Sequence, residues 1–318
     1  LFSVIIPLYN KAPFIQRAID SVQKQTVQDF EVIVINDGST DGGEKLLHSY
    51  LSDRIQLINQ VNQGVSAARN KGIKQAKFPY IAFLDADDQW HPLYLESIIR
   101  AIETHPQVKV FGTSYTTLEL SEVIETEGGT SDLIFKNYFN QAIRNTYFFT
   151  SATVYSREIF EKGISFNPNL SLGEDLDVLF RSILVFGEAF YISNPFVLYG
   201  QDDESSEVKK QHAIEHTLIF KILDLNDDSV KYPVVQSQWL EFQIFRKKWV
   251  LFNLFQFYQN KSNRFGIETT LSKLGTTYFL IRPFYYLPFP ILSFLFRSEL
   301  FSSLFRKYMK FCFRYIYS

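Results

Sequence analysis

Residues 80–88, YIAFLDADD, run an apolar strand pattern straight into three carboxylates, Asp85, Asp87 and Asp88. Few folds tolerate such an ending. Open α/β sheets do, because they place ligand-binding groups at the carboxyl ends of parallel strands. A fourth acid, Asp37, closes an earlier apolar run in VIVINDGSTD. Two carboxylates separated by one residue can hold a hard divalent cation, and that cation can hold a phosphate. The pattern points to an enzyme that handles a metal-bound nucleoside diphosphate, with Mn²⁺ or Mg²⁺ as cofactor.

The surrounding pattern agrees. Strand signals over 3–8, 31–35, 55–58, 80–84 and 108–115 alternate with helix signals. The helices are expected from residue 12, over 43–51, over 64–76, and from Pro92 to residue 102. Such alternation predicts an α/β class with a Rossmann-like, mostly parallel sheet flanked by helices. Between 116 and 170 the pattern loosens. A helix is expected from Glu174, and a strand over 191–199 broken at Pro195. Residues 201–210 read as a polar loop, and the chain beyond 211 as helical and rich in Phe and Tyr. Two domains are expected: a catalytic domain over 1–210 and a helical region over 211–318.

Charge divides the same way. The whole chain of 318 residues carries a net charge of −2, yet residues 246–318 hold twelve Lys/Arg against two Asp/Glu. A basic tail behind an acidic body suggests separate tasks. In the tail, Gly275–Phe296 carries one charge, Arg282, and eight Phe/Tyr. Its length would permit a membrane span, but Pro283, Pro288 and Pro290 interrupt the backbone ladder, which favours an interfacial segment. Farther on, Phe301, Phe305, Tyr308, Cys312 and Tyr315 recur at helical spacing, with Arg306, Lys307, Lys310 and Arg314 mainly opposite. A helix lying on an anionic bilayer is built this way, and so is one packed on the catalytic domain with its basic face in water. The single Cys312 excludes an internal disulfide and a Cys-rich zinc site. The chain opens on a strand with no signal-peptide pattern, so a cytoplasmic location is expected, peripheral on the membrane's inner face. No nucleic-acid partner is expected.

Taken in order, VIIPLYN (4–10), VINDGSTDGG (34–43), NQGVSAARNKGI (62–73) and FLDADD (83–88) resemble the family 2 glycosyltransferases of GT-A fold, and FNPNLSLGEDLDVLFR (166–181) is similar to the family's later acidic motif. The resemblance covers residues 1 to about 205 and implies roles for particular positions. Pro7, Tyr9 and Asn10 would wall a nucleoside pocket. Asp37 would read the uracil of a UDP-linked donor, although a carboxylate there also suits an Asx turn. Arg69 would reach the diphosphate or hold the Asp37 loop, the plainer alternative being a pair with a carboxylate. Asp85 and Asp87, with Ala86 between them, would form the D-x-D element. Asp85 would lie near ribose and metal, and Asp87 would bind the metal. Asp88 takes a secondary role, with helix capping as its simpler reading, and Asp41 reads as a cap. Of the acidic pair Glu174–Asp175, Asp175 would be the general base. Favourable charge at a helix start is the alternative.

The resemblance implies an inverting transferase, the lack of clear membrane spans suggests a non-processive one, and the basic aromatic tail suggests an acceptor at the membrane, a saccharide or lipid-linked saccharide for a surface polysaccharide. Two features depart from the family. The segment Gly200–Ser206 lacks the His that many members place over the diphosphate, and Gln243–Arg246 is followed by Lys247 where processive members carry Trp. The five histidines show no metal spacing, and the aromatics of 239–255 read as a core stripe. A sugar-nucleotide pyrophosphorylase would need a Gly-rich loop after the first strand, where this chain has PLYNKAPF. A non-catalytic nucleotide-sugar-binding scaffold is the other alternative.

Overall fold

The computed structural model describes residues 1–118, 132–142, 147–200, 211–225, 235–275 and 278–317. The polar segment 201–210 lies outside them. The described residues form two compact units. The first comprises Leu1–Lys136, Tyr147–Pro168 and Asp177–Ser205; the second comprises Asn137–Thr146, Asn169–Leu176 and Ser206–Ser318. Residues 137–146 and 169–176 therefore join the second unit although they precede the boundary expected near 210.

The first unit is built on a nine-stranded sheet: β1 (Phe2–Leu8), β2 (Phe30–Asp37), β3 (Ile55–Gln60), β4 (Tyr80–Phe83), β5 (Gln89–Trp90), β6 (Val110–Thr116), β7 (Leu133–Phe135), β8 (Thr153–Ser156) and β9 (Ala189–Leu198). The order is β3-β2-β1-β4-β8-β6-β9-β5, with β7 also paired to β9. The strands β3, β2, β1 and β4 are mutually parallel. From β4 onward the sheet is mixed, because β8 runs antiparallel to both β4 and β6.

Strands β1 and β2 are almost wholly buried, with both their faces covered. On one face Val4, Ile6 and Leu8 share a core with Ile15, Ala18, Ile19 and Val22 of α1 (Ala12–Gln23). Each such fully buried aliphatic side chain stabilises the fold by roughly 1.5–3 kcal/mol. On the other face Ile5 meets α2 (Val65–Gln75) at Gly72, where an added Cβ would lie 2.5 Å from the Ile5 side chain. A third helix, α3 (Tyr94–Thr104), covers the core with Leu95, Ile98 and Ala101. Phe83, on β4, packs against Phe166 at 5.1 Å and Tyr155 at 6.1 Å.

Three local expectations change. Residues 43–51 form only a short turn, Lys45–Leu47, instead of a helix. Only Leu47 of its leucines is buried, since Leu46 and Leu51 are exposed, so no apolar stripe holds a helix down. Pro92 does not open α3, because its carbonyl accepts the Thr26 N–H at 3.0 Å and the helix begins at Tyr94. Finally, Pro195 does not break the strand. It sits in a bulge where β9 slips register against β6, the place a sheet accommodates a residue without an N–H.

The second unit is helical beyond residue 211. Its long helix, Gln236–Leu254, buries Phe242 and Phe245 against Phe139 at 5.0 and 5.3 Å, so the aromatic stripe is core. Gln243 and Arg246 bond to each other, and Arg246 also donates to the carbonyls of Ile222 and Leu225. The final helix, Glu299–Tyr315, does not present its Phe305–Cys312 face to the outside. Phe305 and Cys312 are buried in the unit's own core, with Phe305 5.2 Å from Phe296. Phe301 and Tyr308 are half-buried, and Tyr315 is exposed. Among the described residues no helix is long and apolar enough to cross a membrane.

Candidate active site at the end of the sheet

The strand order reverses between β1 and β4, which lie side by side and parallel. Chains leaving their carboxyl ends in different directions open a crevice there. Both ends carry the residues singled out in the sequence. Leu84 continues β4 by donating its N–H to the Ile5 carbonyl at 3.1 Å, and the chain then turns, with Asp88 N–H bonded to the Asp85 carbonyl at 3.0 Å. This turn points its side chains differently. Ala86 and Asp88 are buried, while Asp85 and Asp87 keep partial access to solvent.

Two cations meet those two acids. Arg69, on α2 and itself buried, donates from Nη2 to Asp85 Oδ1 at 2.8 Å and lies over the Phe166 ring. It therefore holds the D-x-D turn. Lys11, just before α1, pairs with Asp87 Oδ2 at 2.5 Å, and Arg17 donates to the Asp87 carbonyl at 3.1 Å. Burial, followed by the negative charge of Asp85, pushes the Asp87 carboxyl above its ordinary pKa; Lys11 opposes the shift. Asp88 is pushed up further by burial and by Asp85. Its oxygens accept from Ser151 Oγ at 2.5 Å and from Gly200 N at 2.8 Å. Asp88 thus fixes the turn and does not cap the next helix, whose N-terminus has no side-chain cap. Ser151 also accepts the Asp85 N–H, and its carbonyl accepts from Trp90 Nε1 at 2.7 Å.

Asp37 is nearly fully buried and works within the chain. Its two oxygens accept from Gln60 Nε2, Gln63 N and Gly64 N at 2.7–2.8 Å. It thereby fixes the entry to α2, where Gly64 has φ 86°. An ionised carboxylate has about four acceptor positions, so one remains for a further donor. On the β1 side Pro7 is half-buried and Tyr9 is 46% exposed. Asn10 adopts φ 52°, and its Oδ1 accepts the Thr40 N–H at 2.8 Å, stitching the β1 and β2 loops together. Asp41 does act as a cap, but for α1: it accepts the Ala12 N–H at 2.7 Å as well as that of Gly43.

Glu174 and Asp175 belong to the second unit and open the helix Glu174–Phe186, directly after Gly173 at φ 84°. Asp175 Oδ1 accepts the Leu176 N–H at 2.8 Å. The rings of His91 and His105 pack on Phe196 and Phe190.

Sequence reading overlooked Lys11, Arg17, Ser151 and Gly200. Lys11 and Asp87 lie 76 positions apart, and Ser151 and Asp88 lie 63 apart. No local periodicity links such pairs; the neighbourhoods of β4 with β1 and with β8 do. Gly200 is a tight point, since a Cβ there would lie 2.3 Å from the Asp87 carbonyl oxygen. Gly200→Ala is expected to destabilise the protein by about 1–3 kcal/mol, the usual cost of overpacking, and to displace the acidic turn. Urea unfolding checks this, and an unchanged midpoint would contradict it.

The donor set suits a hard divalent cation. Asp85 and Asp87 offer two carboxylates that repel each other, and an ammonium already sits on one of them. Among the described residues no group of three or more His, Cys, Asp or Glu forms a complete cage. Mg²⁺-type sites are commonly completed by substrate phosphates and need only one or two protein carboxylates.

Comparison with known proteins follows the same line. Residues 3–164 match the model of the glycosyl transferase family 2. An uncharacterized glycosyltransferase of Bacillus subtilis, EpsJ, is 29% identical over 185 residues, 55% of this chain and 54% of that protein. The chain spans about half or less of the length of the curated relatives it matches. Among solved structures, Staphylococcus aureus TarS 1–349 in complex with UDP-GlcNAc superposes with a TM-score of 0.65 at 17% identity, covering 98% of this chain and 91% of that one. The Pyrobaculum calidifontis mannosyltransferase PcManGT, in complex with GDP-Man and Mn²⁺, gives 0.57 at 16% identity, covering 96% and 87%. These likenesses show the GT-A fold. With half the chain matched by the family model and the acidic turn at the sheet's switch point, this chain belongs to glycosyltransferase family 2.

Proposed function

We propose that the protein is an inverting transferase. It moves one sugar from a nucleoside diphosphate donor, UDP-linked, to a hydroxyl of a saccharide or lipid-linked saccharide in surface polysaccharide synthesis. The observation that carries this reading is the pair Asp85 and Asp87 at the β1–β4 switch point, each held by a cation from a neighbouring element. The donors named for the solved neighbours support a nucleotide sugar.

Asp85 and Asp87 would hold Mn²⁺ or Mg²⁺, which when bound supplies positive charge against the diphosphate leaving group. Tyr9 and the Asn10 turn flank the nucleoside, and the last acceptor position of Asp37 takes a base N–H. Arg69 keeps Asp85 oriented. Asp175 takes the proton of the acceptor hydroxyl as its oxygen bonds to the anomeric carbon. The bond from that carbon to the diphosphate breaks in the same displacement, with inversion. The basic, aromatic tail supports a peripheral contact with the anionic cytoplasmic face of the membrane.

Incubation with Mn²⁺ and a panel of nucleotide sugars, with detection of released nucleoside diphosphate, tests the reading. Slow UDP release from one donor, lost in Asp87→Ala, is expected. No release from any donor, together with no calorimetric binding, would remove it.

A further inference from the structure

The final helix, Glu299–Tyr315, shows three faces. One is buried in its own unit through Phe305, Met309 and Cys312. A second is exposed and apolar: Leu300, Leu304, Phe311 and Tyr315 are all more than half exposed. At 3.6 residues per turn they lie within an arc of about 60°. The third is basic, with Arg306, Lys307, Lys310 and Arg314. It borders a cavity of about 610 Å³ between the helix and the turn Phe255–Gln259.

Four cations line that cavity, Arg297, Arg306, Lys307 and Lys310, against one carboxylate, Glu299. None of the four is in an ion pair with a described residue. Like charges gathered in one concavity repel unless an anion joins them. The Arg306 guanidinium, a planar fork, lies over the Phe255 ring, 5.1 Å from its centroid. Such a fork matches the oxygens of a phosphate. The volume is within the range of small-ligand sites.

We propose that this cavity is a binding site for the phosphate of an anionic lipid headgroup, with Leu300, Leu304, Phe311 and Tyr315 resting in the acyl boundary beside it. An apolar arc adjoining a basic one is the arrangement that lets one helix meet both layers of a bilayer surface. The inference rests on the peripheral membrane contact proposed above and assigns it a defined pocket. It is independent of which sugar is transferred.

Vesicle co-sedimentation tests it, with phosphatidylcholine vesicles alone or mixed with phosphatidylglycerol. The protein is expected on the mixed vesicles only. Arg306→Ala/Lys310→Ala should lower the partition constant about thirtyfold, the effect of two basic groups lost at an anionic surface. Lys247→Ala/Lys261→Ala removes the same charge from residues outside the cavity and should change it by less than about threefold. Equal losses in the two double variants would overturn the pocket while leaving membrane contact intact. No partitioning by the unaltered protein would overturn the membrane contact itself, and the pocket with it. Release from the vesicles by inorganic phosphate at matched ionic strength would show that the cavity takes a soluble phosphate, which overturns the lipid assignment.

Discussion

Asp87→Ala will cut metal-dependent donor turnover on the order of a thousandfold, the several kcal/mol that charge stabilisation at a leaving group supplies. Its thermodynamic stability will stay within about 1 kcal/mol of the unaltered protein. Asp85→Ala will lose both. The difference lies in what each acid leaves behind. Burial and the charge of Asp85 already oppose ionisation of Asp87, so its removal relieves a repulsion as it breaks the Lys11 pair. Removing Asp85 instead takes a carboxylate away from the buried guanidinium of Arg69. Breaking a buried pair costs about 3–5 kcal/mol, and the partial exposure of Asp85 reduces this to about 2–3. Urea midpoints of the two variants should therefore separate while their activities fall together. Coincident midpoints would mean that the Arg69–Asp85 pair contributes nothing to folding.

Asp175→Asn should lower kcat by about 10²–10⁴, the usual worth of a positioned base, with the donor KM and the apparent metal affinity unchanged. Asparagine keeps an oxygen for the Leu176 N–H, so the start of the helix holds and the loss is one of proton acceptance. A variant that transfers sugar at the normal rate would remove Asp175 from the chemistry and leave it the role of a helix-start charge.

The sequence made the acids and Arg69 visible and hid Lys11, for a physical reason. Strands buried on both faces announce themselves as apolar runs, as in 4–8 and 32–35, and carboxylates at their ends stand out against that background. Lys11 sits in a segment where a basic residue is ordinary, and only folding brings it to Asp87; for Arg69 a carboxylate partner was legible, and folding chose Asp85. The same limit explains Asp41. Its type suited a cap, but the helix it caps starts 29 residues earlier. The stretch 43–51 shows the reverse error, where helix-forming residues lacked a surface to cover. In the tail, amphipathicity was legible. Which of two apolar arcs turns inward was decided by Phe255 and Phe296, whose approach no periodicity encodes.

The pairing of Asp85 with Arg69 and of Asp87 with Lys11 bears on how a donor arrives. A crevice floored by three bare carboxylates would push a diphosphate away before any contact formed. Here the counter-charges are built into the chain, and burial holds Asp88 toward its neutral form. An anionic substrate therefore meets a nearly balanced field, and its encounter is governed by diffusion and shape more than by long-range force. Ionic strength should matter little to the rate at which this end of the sheet is found.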